Sequence, residues 1–85
     1  MLNSKVAKKS KLYWQCRRGM LELDLLLQVF LDRDYDDLSN QEQVVFQHLL
    51  EYQDQMLLNY LLGRSVPLDG AVARVVNKIR RASDA

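Results

Sequence analysis

Apolar residues recur along this chain at helical spacing almost from end to end, and polar residues punctuate them at a few marked places. Ser4 can cap a first helix running to about Arg17, with Val6, Leu12, Tyr13 and Cys16 facing inward. Gly19 then supplies a backbone position free of Cβ, where the chain can turn. A second helix is expected from Met20 to about Tyr35. Its apolar residues (Leu21, Leu23, Leu25, Leu26, Leu27, Val29, Phe30, Leu31) go well beyond one stripe, as in the central helix of a small bundle. Ser39 and Glu42 form an S-x-x-E capping box, so a third helix begins at about Asn40 and places Val45, Phe46, Leu49 and Leu50 on one face. Asp54 reads as the cap of a fourth helix carrying Leu57, Leu58, Leu61 and Leu62, with Gly63 at its C′ position. Beyond Pro67, Asp69 can cap a fifth, where Val72, Val75, Val76 and Ile79 recur at i, i+3, i+4 and i+7. No segment alternates with period two for long enough to make a strand. The pattern predicts an all-α fold, a compact bundle of five short helices, as a single helical domain over 1–85 with ends frayed at about 1–3 and 82–85.

Composition narrows the function classes. With 85 residues, 48% of them apolar and 27% charged, the chain has room for one core and no reason to be disordered. A lone cysteine makes no internal disulfide, and one cysteine with one histidine cannot supply a four-ligand zinc site. No apolar run reaches the roughly 18 residues of a membrane span, and Asp24 interrupts the longest candidate. The basic N-terminus has no apolar core segment or cleavage site of a secretory signal. A soluble protein of a reducing compartment is expected, with no direct membrane insertion.

The net charge of +1 is a sum of three unlike blocks. Residues 1–18 carry six cations (Lys5, Lys8, Lys9, Lys11, Arg17, Arg18) and no acid, for +6. Residues 19–63 carry nine acids against Arg33 alone, for −8, and residues 64–85 come to +3. Such asymmetry either leaves a polarised surface that steers a charged partner, or lets the basic ends fold back on the acidic middle.

Catalytic routes mostly close. His48, the only histidine, lies mid-helix beside Leu49 and Leu50 in an ordinary amphipathic pattern. Cys16 adjoins Arg17 and Arg18, which could lower its pKa, but a cysteine at an inward helical position is most simply a small core residue. There is no glycine-rich phosphate loop and no HExxH. Asp32, Asp34, Asp36 and Asp37 imitate a calcium loop but lack its central glycine and distal glutamate, so no metal site is expected. The lysines at 5, 8, 9 and 11 with Arg80 and Arg81 are phosphate-seeking groups. The acidic centre and a pI near 7.9 argue against a nucleic-acid face.

One segment does not reduce to packing: Arg17-Arg18-Gly19-Met20-Leu21-Glu22. Two arginines could complement the end of helix one, and Glu22 the start of helix two. Alternatively, a cation and a carboxylate around a glycine form a surface knuckle that another backbone can approach closely.

Cys16-Arg17-Arg18-Gly19-Met20-Leu21-Glu22-Leu23-Asp24 resembles the R-G-x-x-E signature of the small SdhE/YgfY-type assembly factors, bacterial proteins with mitochondrial relatives. Trp14, the Tyr35-Asp36-x-Leu38 segment, Ser39-x-x-Glu42, and Phe46-x-x-Leu49-Leu50-Glu51 followed by Asp54 resemble that family in order and spacing, over roughly residues 8–62. Tyr60 departs from it, standing where many relatives carry tryptophan in a D-x-x-L-x-x-W-L stretch; from Gly63 onward the match is loose.

The resemblance implies a five-helix fold and an accessory factor, not an enzyme. Such a factor binds the flavoprotein subunit of succinate dehydrogenase, and in bacteria that of fumarate reductase, and promotes a histidyl-FAD bond. Histidine and flavin belong to the client, so no catalytic residue, metal or stably bound cofactor is implied here. By motif match Arg18, Gly19 and Glu22, with Arg17 and Asp24, are the expected client-binding residues, Arg18 and Glu22 pairing with client groups and Gly19 allowing close approach. A monomer is expected, without a nucleic-acid partner. The short stretch before the matching region favours the bacterial cytoplasm. The family resemblance also carries an alternative: an antitoxin-like regulator of a small membrane toxin or cytoskeletal proteins.

Overall fold

Leu23, Leu27, Phe30 and Leu31, spaced i, i+4, i+7 and i+8 on the second helix, have no solvent exposure, and the rest of the chain is wrapped around them. The computed structural model describes residues 4–84, with side chains described for residues 9–82. The order is α1 (Ser4–Cys16), α2 (Leu21–Arg33), a 3₁₀ turn (Tyr35–Asp37), α3 (Asn40–Leu49), α4 (Asp54–Leu61) and α5 (Gly70–Asp84). Among the described residues the fold is all-α, as predicted. Helix α2 packs against α1, α4, α5 and the 3₁₀ turn, and α5 also packs on α3 and α4. One apolar cluster runs through all of these, joining Leu12 and Cys16 of α1 to Val72, Val75, Val76 and Ile79 of α5. Phe46 of α3 anchors it, with ring centroids 5.4 Å from Phe30 and 5.3 Å from Tyr35.

Most boundary signals act as read. Ser39 Oγ accepts the Glu42 N–H and the Glu42 carboxylate accepts the Ser39 N–H, a complete capping box. The Asp69 carboxylate accepts the Ala71 N–H at 2.8 Å, capping α5. Gly63, at φ +76°, closes α4: its N–H reaches Tyr60 O and that of Arg64 reaches Asn59 O, the paired bonds of a Schellman end.

Three expectations need correction. Met20 is extended and precedes α2, which stops at Arg33, so Tyr35 lies in the 3₁₀ turn; Tyr35 and Leu38 still point inward. Helix α2 is not buried on all its apolar sides, since Leu21 is 75% and Leu25 52% exposed. Asp54 does not cap α4: Gln53 holds that place without a side-chain bond, and Asp54 is the first helical residue. The C-terminal helix runs to Asp84, with Ala82 buried, because the i, i+3, i+4 stripe continues from Ile79 to Ala82. Residues 1–3 and the side chain of Val6 lie outside the described set.

Candidate functional site

Helix α1 ends as Cys16 enters the core, and the chain must reverse within four residues to start α2. It does so at Gly19, whose φ of +81° lies in the left-handed region that side chains disfavour. A Cβ placed there would meet nothing within 4 Å, so the space above Gly19 is open. The turn is tied down by Asp24, in the first turn of α2. Its Oδ1 accepts the Arg18 N–H at 2.8 Å and its Oδ2 the Gly19 N–H at 3.2 Å. Two successive N–H groups converging on one anion form a nest, and the same carboxylate is favoured beside the helix N-terminus.

Arg18 turns its side chain inward. Its Nε donates to Gln15 O at 3.0 Å, and Nη1 donates to Tyr52 O at 3.1 Å and to Asp54 Oδ1 at 2.8 Å. Nη2 donates to Leu50 O. The guanidinium fork thus joins the α1–α2 turn to the α3–α4 turn, and the side chain is only 12% exposed. Arg17 and Glu22, by contrast, are exposed and have no side-chain partner among the described residues. All five expected residues therefore gather at one knuckle. Arg17, Gly19 and Glu22 form its open side, while Arg18 and Asp24 hold its shape. An Arg18 that paired with a client would first have to leave acceptors within its own chain.

Cys16 departs from the reading in which neighbouring arginines activate it. Burial pushes its thiol up to about 12, against the opposing charge of Arg18 and with help from Asp24. It is a core residue. His48 sits on the surface with Nδ1 3.3 Å from Glu51 Oε2. The basic ends do fold onto the acidic centre: Lys9 pairs with Asp36 at 3.0 Å, Arg18 with Asp54 at 2.8 Å, and Lys78 with Glu42 at 2.7 Å. Lys5 and Lys8 lie outside the described side chains.

Two features escaped sequence reasoning. Asp54 belongs to the knuckle through Arg18, a contact across 36 residues that no local signal marks. Beside the knuckle, Trp14 is 73% exposed and borders a surface notch with Leu21 and Leu25. Two leucines four apart on a helix that looked apolar on most sides gave no hint of which would be left outside.

Fold and site define a small all-α protein that presents a tied surface turn, with its cations and amides organised from within. A family model described as flavinator of succinate dehydrogenase, Sdh5, matches residues 10–83, and the chain belongs to that family. It is 45% identical over 71 residues to the FAD assembly factor SdhE of Shewanella oneidensis, covering 84% of this chain and 87% of that protein. The proteins of the same name from Coxiella burnetii and Wigglesworthia glossinidia brevipalpis are each 38% identical, over 82 and 79 residues. The first alignment covers 96% of this chain and 99% of the relative, the second 93% and 94%.

Proposed function

We propose that this chain is an accessory factor, not a catalyst, that binds the flavoprotein subunit of succinate dehydrogenase and promotes covalent attachment of FAD to it. The family match over residues 10–83 supports this reading most strongly. The geometry of the knuckle is compatible with it. A flavin dinucleotide held by this protein would need donors for its pyrophosphate, yet the paired N–H groups of Arg18 and Gly19 already hold Asp24, and the Arg18 fork is filled. In this reading the flavin and the histidine it joins are the client's. This chain contributes orientation: it docks as a monomer and holds the client so that the two reacting groups meet, a gain in effective concentration and not a donated chemical group. The flavoprotein of fumarate reductase, similar in chemistry, is a second client, and the bacterial cytoplasm is the place of action. Among the described residues no helix is long and apolar enough to cross a membrane.

Within this reading Gly19 is the point of closest approach, flanked by Arg17 and Glu22. Gly19→Arg places a long cation in open space above the knuckle, and Gly19→Ala adds only the backbone strain of a positive φ, about 1–2 kcal/mol. Both variants are expected to keep their helical circular dichroism. Purified client subunit incubated with FAD should gain in-gel flavin fluorescence with the wild type and with Gly19→Ala, and none above background with Gly19→Arg. Normal flavin attachment by Gly19→Arg would sink the knuckle assignment; no gain with the wild type would sink the function.

A further inference from the structure

Leu21, Leu25 and Gln28 follow one another at i, i+4 and i+7 along α2, on the side away from the buried Leu23, Leu27, Phe30 and Leu31. With Trp14 of α1 they border a surface notch of about 480 Å³, to which Arg17 and Asp24 also contribute. Trp14, Leu21 and Leu25 are 73%, 75% and 52% exposed. None of the three belongs to the buried cluster or to the half-buried residues packed on it.

We propose that Trp14, Leu21 and Leu25 form an apolar docking facet for the client flavoprotein, adjoining the knuckle and seating an apolar client side chain beside an acidic group that faces Arg17. The proposal rests on the function proposed above and extends its contact surface. The facet is continuous with the knuckle: Asp24 holds the Arg18 and Gly19 amides and also lines the notch, and Arg17 borders both. Its charge is complementary to such a segment, because the Arg17 guanidinium stands at the rim without an internal partner among the described residues. Its size also selects the occupant. The three side chains expose on the order of 300–400 Å² of apolar surface, the scale of a functional patch on a monomer. An obligate dimer of this chain would need a larger and more apolar interface, commonly above roughly 2,000 Å² in total, whereas a patch of this size serves as the dry centre of an ordinary heteromeric interface of about 800 Å² per partner. Trp at the centre of a contact is the residue type whose truncation costs most.

The test compares wild type with the Trp14→Gln, Leu21→Gln, Leu25→Gln triple variant, all at exposed helical positions, and with Val44→Gln, Met56→Gln as a control on α3 and α4. Binding to the purified client flavoprotein subunit is measured by calorimetry, flavin attachment by in-gel fluorescence, and oligomeric state by light scattering. The triple variant should melt close to the wild type, bind the client at least tenfold more weakly and flavinylate it more slowly, while the control matches the wild type. Leu25→Gln alone should weaken binding measurably, so the expectation stands even where the triple variant unfolds. Wild-type affinity in both Leu25→Gln and the triple variant overturns the facet and leaves the function intact. Absence of any wild-type binding to the flavoprotein overturns both. A wild-type dimer that the triple variant dissolves, with client binding unchanged, assigns the facet to a second copy and overturns the proposal.

Discussion

At the α1–α2 turn one guanidinium reaches three acceptors on the α3–α4 turn, so Arg18 and its partners are unequal in what their loss does. Hydrogen bonds from a charged donor contribute about 1.5–3 kcal/mol each, and a planar fork serves several fixed acceptors where an ammonium serves as a point charge. Arg18→Lys keeps the charge but abandons at least part of the fork. It is expected to destabilise by about 2–3 kcal/mol, with melting lowered by about 4–8 °C for each kcal/mol in a chain of this size. Asp54→Asn leaves the carbonyls of Leu50 and Tyr52 in place and keeps an acceptor oxygen but removes its charge, on a side chain 39% exposed, so about 1 kcal/mol is expected. Thermal melts of the two variants check the order. Arg18→Lys melting with the wild type would mean that the guanidinium is not the anchor and is free for a partner. The sequence marks Arg18 as special through its motif and its neighbouring glycine. It does not show that the side chain turns inward, because the acceptors lie 32 to 36 residues away in another turn.

At the scale of elements, the legible features are those whose cause lies within one helical turn. The Ser39–Glu42 box, the Asp69 cap and the Gly63 end each involve groups at most five residues apart, and each forms as read. Asp54 carries the same kind of local signal, yet a distant cation outbids the backbone for its carboxylate, and Gln53 takes the boundary without a side-chain bond. The apolar excess of α2 gave its central place but not its outward stripe, since a leucine reads the same on either side of a helix. Gly63 allows an element-level test. Its φ is +76°, and an added Cβ would lie 2.7 Å from the Arg80 Nη2, at the far end of a long side chain. Arg80 must give way, and the backbone strain comes in addition. Gly63→Ala is therefore expected to lower stability by about 1–2 kcal/mol, and Gly63→Asn by less, because asparagine tolerates the left-handed region. Chemical denaturation of both variants measures the difference; equal stability of Gly63→Ala and wild type would show that α4 ends some other way in solution.

Across the whole molecule the three charge blocks of the sequence are joined, among the described residues, by ion pairs from α1 to the 3₁₀ turn, from the knuckle to α4 and from α5 to α3. The near-zero net charge is thus a folded arrangement as well as a sum. The last pair reports on it most cleanly, because Glu42 also closes the capping box, so one carboxylate links the start of α3 to α5. The Lys78 ammonium first, and then the Ser39 N–H, hold the Glu42 carboxyl below its ordinary 4.5. A folded-state pKa that is lowered means that the unfolded chain binds the proton more readily. The resulting stability is present above pH 4.5 and is lost as pH falls through the lower folded-state value. Lys78→Met removes the larger cause and leaves the Ser39 bond. Melting temperatures of wild type and Lys78→Met should therefore differ at pH 7 and converge as pH is lowered below 4.5, with the wild type showing the steeper acid limb. The gap at pH 7 should also narrow in 1 M salt, where screening acts within about 3 Å, because both side chains are partly exposed. Parallel melting curves across that pH range would show that Lys78 does not reach Glu42 in solution, and that α5 is held to α3 by its apolar stripe alone.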